Sequence, residues 1–265
     1  MRTPAAPSLG LPHPRGTVRW TLIVLFGIWL LLAIAVNWVG VSEKILQPFV
    51  GLSSRVFPEL WRLLTAALIH DISGDGAVSH IATTLLVVYF FGPTLEERWG
   101  ARRTALFFVA SATFAFACQI LVGSLVSKLY QEVWFGGLGM ADALAVAWAL
   151  SARPGQQVRL FFVLPVTPMM LLAIILVFNL LRLIALGSHH DGLVTPFGGM
   201  LAGYLFGDAS PVRRFWLQRK LERLQREAAG LKARPARAAR SGGPELRVIE
   251  GGAAKEPPKD KRLLN

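Results

Sequence analysis

Uncharged stretches of membrane-spanning length recur along the chain and dominate its pattern. Four of them have at least 20 residues without any Asp, Glu, Lys or Arg, and they cover residues 20–42, 76–95, 104–127 and 160–181. A fifth stretch, 133–152, is interrupted only by Asp142, and a sixth covers 192–207. Because a helix needs about 20 apolar residues to cross a bilayer core of about 30 Å, these stretches predict transmembrane helices.

The predicted fold is an all-α polytopic membrane protein, built as a bundle of six transmembrane helices. The six spans are predicted at residues 20–40, 76–95, 104–127, 133–152, 160–186 and 192–207, within a membrane domain of residues 20–207. Composition agrees, because 53% of the residues are hydrophobic and 17% are charged, with a mean hydropathy of +0.48. An ordinary soluble domain would not hide so much apolar surface. The single cysteine, Cys118, excludes an intramolecular disulfide framework.

Basic residues are concentrated at the two ends of the chain. The part after Gly207 has 15 Lys or Arg against 7 Asp or Glu, and the leader is also basic. The positive-inside rule then predicts that both termini are cytoplasmic, which requires an even number of spans. We expect a multi-pass protein of the bacterial inner (plasma) membrane. The net charge of +12 is explained by anionic lipid near these flanks. Nucleic acid is not an expected partner, because no binding motif accompanies the charge.

Segments outside the membrane domain differ in composition. Residues 1–19 are predicted to be a disordered basic cytoplasmic leader, and residues 233–265 a disordered basic tail. Between them, 211–232 is predicted to form a cytoplasmic helix with a heptad seam at Leu217, Leu221, Leu224, Ala228 and Leu231. The seam favours self-association through residues 217–231, and an amphipathic helix on the membrane surface fits equally well.

Several short motifs occur in order within the membrane domain. Trp61-Arg62 precedes the second span, His80 begins a His-x-x-x-Thr motif, and Phe91-Gly92-Pro93-Thr94-Leu95-Glu96 closes that span. Trp134-Phe135-Gly136-Gly137-Leu138-Gly139 then leads into the fourth span, and Gly199 and Gly203 form a Gly-x-x-x-Gly pair in the sixth. In this order the motifs resemble those of the rhomboid intramembrane proteases. The resemblance implies a serine nucleophile at the turn into the fourth span, a histidine base in the sixth, and an asparagine that holds the developing oxyanion.

All three implied positions carry other residues. The implied serine has either been deleted after Leu138 or been replaced by Gly139, Pro196 replaces the histidine, and Thr84 replaces the asparagine. A Ser–His dyad needs a hydroxyl and an imidazole that takes its proton. We therefore expect a catalytically degenerate rhomboid-like protein that is not an enzyme. Inactive rhomboid-like proteins recognise transmembrane clients, so the resemblance implies that this chain binds such clients and influences their stability, trafficking or turnover.

Small residues that recur every four positions predict close helix packing in lipid. The predicted packing positions are Gly137, Ala141 and Ala145 in the fourth span and Gly199 and Gly203 in the sixth. Ionisable groups inside a membrane are costly, so Asp142 is a candidate for function. His80, Thr84 and Asp142 are the candidates for a polar cavity or a client contact.

Two other classes of protein remain open at this stage. One is an intramembrane peptidase that uses Asp142, a threonine or a bound metal in place of the dyad, and the other is a small transporter or ion-binding protein centred on Asp142. Imidazole and carboxylate groups on the predicted outer side suit zinc, namely His70, Asp71, Asp75, His80 and the run His189-His190-Asp191. Their spacing fits no recognised zinc motif, so neither a metal nor a cofactor is expected.

Overall fold

Helices follow the apolar stretches of the sequence. The computed structural model describes residues 12–153, 155–160, 164–185 and 190–233. Its helices are α1 (Gly16–Asn37), α2 (Arg62–Thr65), α3 (Ala77–Trp99), α4 (Ala101–Leu125), α5 (Leu138–Leu150), α6 (Pro168–Ala185), α7 (Thr195–Phe206) and α8 (Pro211–Ala233). Short antiparallel strands pair as β1 (Gly51–Leu52) with β2 (Val133–Trp134) and β3 (Val158–Leu160) with β4 (Leu164–Val166).

Four of these helices are long and apolar enough to cross a membrane, namely α1, α3, α4 and α6. Helix α5 is apolar but has only 13 residues, and it rises about 20 Å, less than the hydrocarbon core of about 30 Å. Its residues from Gly139 to Ala149 are all buried, and irregular backbone at membrane depth is tolerated where protein surrounds it. The prediction of an all-α polytopic membrane protein is confirmed.

Helix α5 lies at the centre of the bundle. It packs against α3, α4, α6 and α7, most extensively against α7. Aromatic contacts support it from two sides: Phe91 of α3 lies 4.7 Å from Trp148 between ring centroids, and Phe116 of α4 lies 4.5 Å from Trp134. The turn that leads into α5 is therefore held in the interior of the protein.

Three predicted boundaries differ from the structure. Helix α1 begins at Gly16, inside the predicted leader 1–19, because the Glu96 carboxylate accepts hydrogen bonds from the backbone N–H groups of Thr17 and Val18 at 2.6 and 3.1 Å. The fifth span starts at Pro168, since the β3–β4 hairpin occupies the beginning of the predicted span 160–186. The fourth predicted span, 133–152, begins as strand β2, and its helix covers only Leu138–Leu150.

By internal packing the chain forms two units, residues 1–216 and residues 217–265. In the second unit, the described residues 217–233 are the helical continuation of α8. The side chains of Leu217, Leu221 and Leu224 are exposed. Residues 1–11 of the predicted leader, and all of the predicted tail 233–265 beyond Ala233, lie outside the described residues.

Candidate functional site

The turn from β2 into α5 is fixed by three of its backbone N–H groups, which donate hydrogen bonds to distant segments. The Phe135 N–H donates to the His190 carbonyl at 2.8 Å, and the Gly136 N–H donates to the Ala66 carbonyl at 2.9 Å. The Gly137 N–H donates to Nε2 of His70 at 3.2 Å. Gly136 has φ +128°, a conformation that strongly favours glycine. Three segments that are far apart in sequence therefore meet at this turn.

Gly139 lies in the first turn of α5 and faces α7. A Cβ atom at this position would lie 2.6 Å from Cβ of Ala115 and 2.8 Å from Cγ2 of Thr195, so no side chain fits without movement. Pro196 is buried in the first turn of α7, where a missing N–H is tolerated. Neither position has a hydroxyl or an imidazole group. The position at which the resemblance implies the serine is therefore packed tightly against Ala115 of α4 and Thr195 of α7.

Thr84 is buried on α3 beside His70. Its hydroxyl Oγ1 lies 3.3 Å from His70 Nε2, and both side chains face the turn, because a Cβ on Gly137 would meet each of them. Burial, followed by the charge of His80, lowers the pKa of His70 to about 4. His70 is therefore neutral at physiological pH. The pair connects α3 and the loop before it to the turn.

His80 lies between two carboxylates. Its Nδ1 accepts a hydrogen bond from the Asp71 backbone N–H at 2.9 Å, and the Asp71 carboxylate lies 3.4 Å from the same nitrogen. On the other side of the ring, Nε2 lies 3.0 Å from Oδ2 of Asp191. Since Nδ1 accepts the Asp71 N–H, Nε2 is the ring nitrogen that faces Asp191, at ion-pair distance and without hydrogen-bond geometry.

Asp191 is almost completely buried, with 4% of its surface exposed. Arg182, in the last turn of α6, lies 3.5 Å from the same carboxylate. Burial by itself raises the pKa of Asp191, but the pairing with His80 and the charge of Arg182 lower it below its ordinary value. Asp191 is therefore an ionised carboxylate. It abuts the turn, since a Cβ on Gly136 would lie 1.9 Å from its Oδ1.

A polar cavity of about 440 Å³ opens beside these groups. It is lined by Asp71, Ser73, Gly76, Ser79, His80, Thr83, Leu138, Phe178, Arg182, His190 and Asp191. Of the three residues predicted for a polar cavity, His80 lines it, whereas Thr84 and Asp142 do not. Thr83 lines the cavity, whereas the next residue of α3, Thr84, faces His70 and the turn at Gly137.

Asp142 has a separate partner. Its Oδ2 accepts a hydrogen bond from Nδ2 of Asn179 at 2.7 Å, and both residues are buried. Asn179 is three residues before Arg182, so one face of α6 carries both groups. Helix α6 is thus connected to α5 through Asn179 and to Asp191 through Arg182.

The close packing of α5 and α7 uses the predicted glycines of α7 and other residues of α5. A Cβ on Gly199 would lie 2.0 Å from the Gly139 carbonyl oxygen, and one on Gly203 would lie 2.3 Å from that of Ala143. The sequence interpretation assigned this contact to Gly137, Ala141 and Ala145, and that register is wrong by two residues. Gly137 instead faces Thr84 of α3. Ala141 and Ala145 are fully buried.

The sequence did not predict the contacts of Asp191, Arg182 and Asn179. In the sequence, Asp191 is a candidate only for an outer metal site, and Arg182 only follows the uncharged stretch 160–181. A usable signal was present, because two polar residues three apart in an apolar helix mark one polar face. Among the residues that the structure describes, no group of three or more His, Cys, Asp or Glu is arranged to hold a metal ion.

Comparison with known proteins identifies the family. No curated protein matches the sequence. The family model of the rhomboid domain matches residues 58–210, which is more than half of the chain and includes the turn, the cavity and helices α3 to α7. This integral, multi-pass membrane protein therefore belongs to the rhomboid family.

Proposed function

We propose that this rhomboid-family protein is catalytically inactive and acts by binding the transmembrane segments of client proteins, whose stability, trafficking or turnover it influences. One observation carries the proposal of inactivity. The buried carboxylate of Asp191 lies against the glycine turn at Gly136 and beside Nε2 of His80. Acyl transfer requires donors aimed at a developing oxyanion. An anion at this turn would repel that charge.

The dyad positions support the same proposal. Peptide cleavage through a serine needs a nucleophile and a base within hydrogen-bonding reach of each other. Gly139 and Pro196 supply neither, and the space at Gly139 is filled by Ala115 and Thr195. The bundle itself keeps its central helix and its close α5–α7 contact. A scaffold that is retained without its reactive groups fits a role in binding.

Activity-based labelling tests the proposed inactivity. The purified protein, Gly139→Ser, and Gly139→Ser combined with Pro196→His are treated with a serine-directed fluorophosphonate probe, beside an active rhomboid protease in the same detergent. We expect no labelling of the unmodified protein or of Gly139→Ser, because no base is present. The double variant should also stay unlabelled while Asp191 is in place. Labelling of the unmodified protein, or its cleavage of a transmembrane substrate, would refute the proposal.

Client binding needs a separate test in the native membrane. Proximity labelling from the full-length protein should enrich membrane proteins with single transmembrane segments. The single variant His80→Ala is compared with the single variant Ser124→Ala as its control. His80 lines the cavity, whereas Ser124 is an exposed residue of α4. Loss of partners with His80→Ala alone supports contact at the cavity. An unchanged partner set in both variants counts against it.

A specific contact favours one alternative, a peptidase that uses a threonine. The Thr84 hydroxyl lies 3.3 Å from His70 Nε2, and His70 is neutral, as a general base must be. Thr84 is buried, however, and the Gly137 N–H donates to the same nitrogen. If the unmodified protein cleaves a substrate, Thr84→Val should abolish that activity under this alternative and leave it intact under any other.

Location and assembly complete the proposal. The basic ends of the chain support a protein of the bacterial inner membrane with both termini in the cytoplasm. The exposed Leu217, Leu221 and Leu224 of α8 support self-association through residues 217–231. Cross-linking in the membrane of the full chain tests this, with Leu221→Lys expected to abolish the dimer band and Gln218→Lys expected to leave it.

A further inference from the structure

Two cationic or titratable side chains from different helices lie at ion-pair distance from one buried carboxylate at the wall of the cavity. His80 of α3 directs its Nε2 at Oδ2 of Asp191 over 3.0 Å, and Arg182 of α6 approaches the same oxygen at 3.5 Å. A guanidinium group carries five N–H donors in a planar fork and remains charged at all physiological pH values. We propose that His80 and Arg182 form a carboxylate-binding site and that the chain's own Asp191 closes it.

Gly136 makes the space for the occupant. Oδ1 of Asp191 would lie 1.9 Å from a Cβ at this position, so any residue other than glycine would expel the carboxylate. Among the described residues, Oδ1 has no hydrogen-bond partner although it is buried. An unpaired buried acceptor destabilises a folded protein. The carboxylate is thus held by its charge partners at Oδ2, and its Oδ1 is buried against Gly136 without a donor.

The backbone keeps Asp191 in this site. The preceding residue, His190, accepts a hydrogen bond from Phe135, as described above. On the other side, the N–H of Leu193 donates to Oε1 of Gln131 at 3.2 Å, and that of Val194 donates to Oε1 of Gln119 at 2.7 Å. Asp191 is therefore fixed from both directions. Because Asp191 is held in the site, its side chain excludes the carboxylate groups of other molecules.

Charge balance explains why a carboxylate is the matching ligand. Arg182 is neutralised by one carboxylate, and Asp71, on the Nδ1 side of His80, has its own neighbour in His190 at 3.5 Å. Among the described residues Arg182 forms an ion pair with Asp191 alone, so removing that side chain would leave its charge unpaired there, which is costly inside a membrane protein. A small monocarboxylate such as formate would restore both the charge and the contact with His80. This inference does not depend on client binding.

Chemical rescue tests the site directly. The thermal unfolding of Asp191→Ala in detergent is measured in sodium formate and in sodium chloride at equal ionic strength. We expect a saturable rise in Tm with formate of roughly 3–6 °C at about ten times its dissociation constant. The unmodified protein and Asp71→Ala should show no rise, because Asp191 still fills the site. A folded Asp191→Ala protein that does not respond, or an equal response of all three, would overturn the proposal.

A double-mutant cycle gives an answer even if Asp191→Ala does not fold. Asp191→Asn keeps the shape of the side chain and removes its charge. Arg182→Gln should destabilise the unmodified protein much more than it destabilises Asp191→Asn, since the guanidinium has lost its counter-ion in the latter. Additive effects of the two substitutions would mean that Arg182 does not hold the carboxylate, and the proposal would fail.

Discussion

Replacing Gly199 by alanine adds one methyl group at a close contact between helices α5 and α7. The new Cβ would lie 2.0 Å from the carbonyl oxygen of Gly139 and 2.8 Å from its Cα. Separations below 3.0 Å are essentially never seen for real Cβ atoms. The obstacle is backbone, which cannot rotate away as a side chain would. Helices α5 and α7 must therefore move apart by about 1 Å.

The expected cost follows from this displacement. Overpacking of a close-packed core typically costs about 1–3 kcal/mol. In lipid the helices are held by contact, without a hydrophobic gain between them, so separation also weakens neighbouring contacts. At roughly 2–4 °C of Tm for each kcal/mol in a protein of this size, the loss should be roughly 3–10 °C.

Gly27→Ala is the matched control. Gly27 lies within α1, and a Cβ there meets no heavy atom within 4 Å. The same methyl group should be neutral or slightly stabilising, because alanine favours a helix more than glycine does. Thermal unfolding of the two variants in one detergent is the measurement. If Gly199→Ala is as stable as Gly27→Ala, the close contact between α5 and α7 is not what the structure indicates.

Two further predictions concern pH and topology. His70 has a pKa of about 4 when folded against 6.5 when unfolded, so only the unfolded chain gains the proton between these values. Its contribution to stability is complete above pH 6.5 and falls as the pH drops to about 4, by up to about 1.4 kcal/mol per pH unit. Thermal unfolding across this range should show a shallower slope for His70→Gln, and equal slopes would contradict the reasoning. Fusions at Asn265 to a reporter active only in the cytoplasm and to one active only outside should report a cytoplasmic C-terminus, and an external signal would refute the six-span topology.

The sequence by itself determined the features that depend on neighbouring residues. Uncharged stretches located the apolar helices, because crossing a membrane imposes length and composition on a continuous segment. The glycine turn at Gly136 and the Gly199–Gly203 pair were also visible, since each needs a particular residue at a fixed spacing. Element ends were less well determined. The start of α1, for example, is stabilised by Glu96, which lies some 80 residues away in the sequence.

The face of α5 that meets α7 could be decided only by the tertiary structure. Small residues occur on several sides of this helix, among them Ala141, Ala143, Ala145 and Ala147. Their spacing is consistent with contact on either side, so composition does not choose between registers. The choice is made by α3, whose Thr84 takes the side of Gly137. Helix α7 then packs on the side of Gly139 and Ala143.

The candidate site depends on tertiary structure for the same reason. His80, Arg182 and Asp191 come from α3, α6 and the segment before α7, and each alone looks like an ordinary charge near a membrane boundary. Asp142, the most conspicuous charge in the sequence, lies apart from the cavity with Asn179. Which charges meet is decided by how the helices pack, because His80 lies over a hundred residues from Asp191 in the sequence and shares no local pattern with it. The sequence determined which helices exist, and their packing determined that a carboxylate lies at the glycine turn.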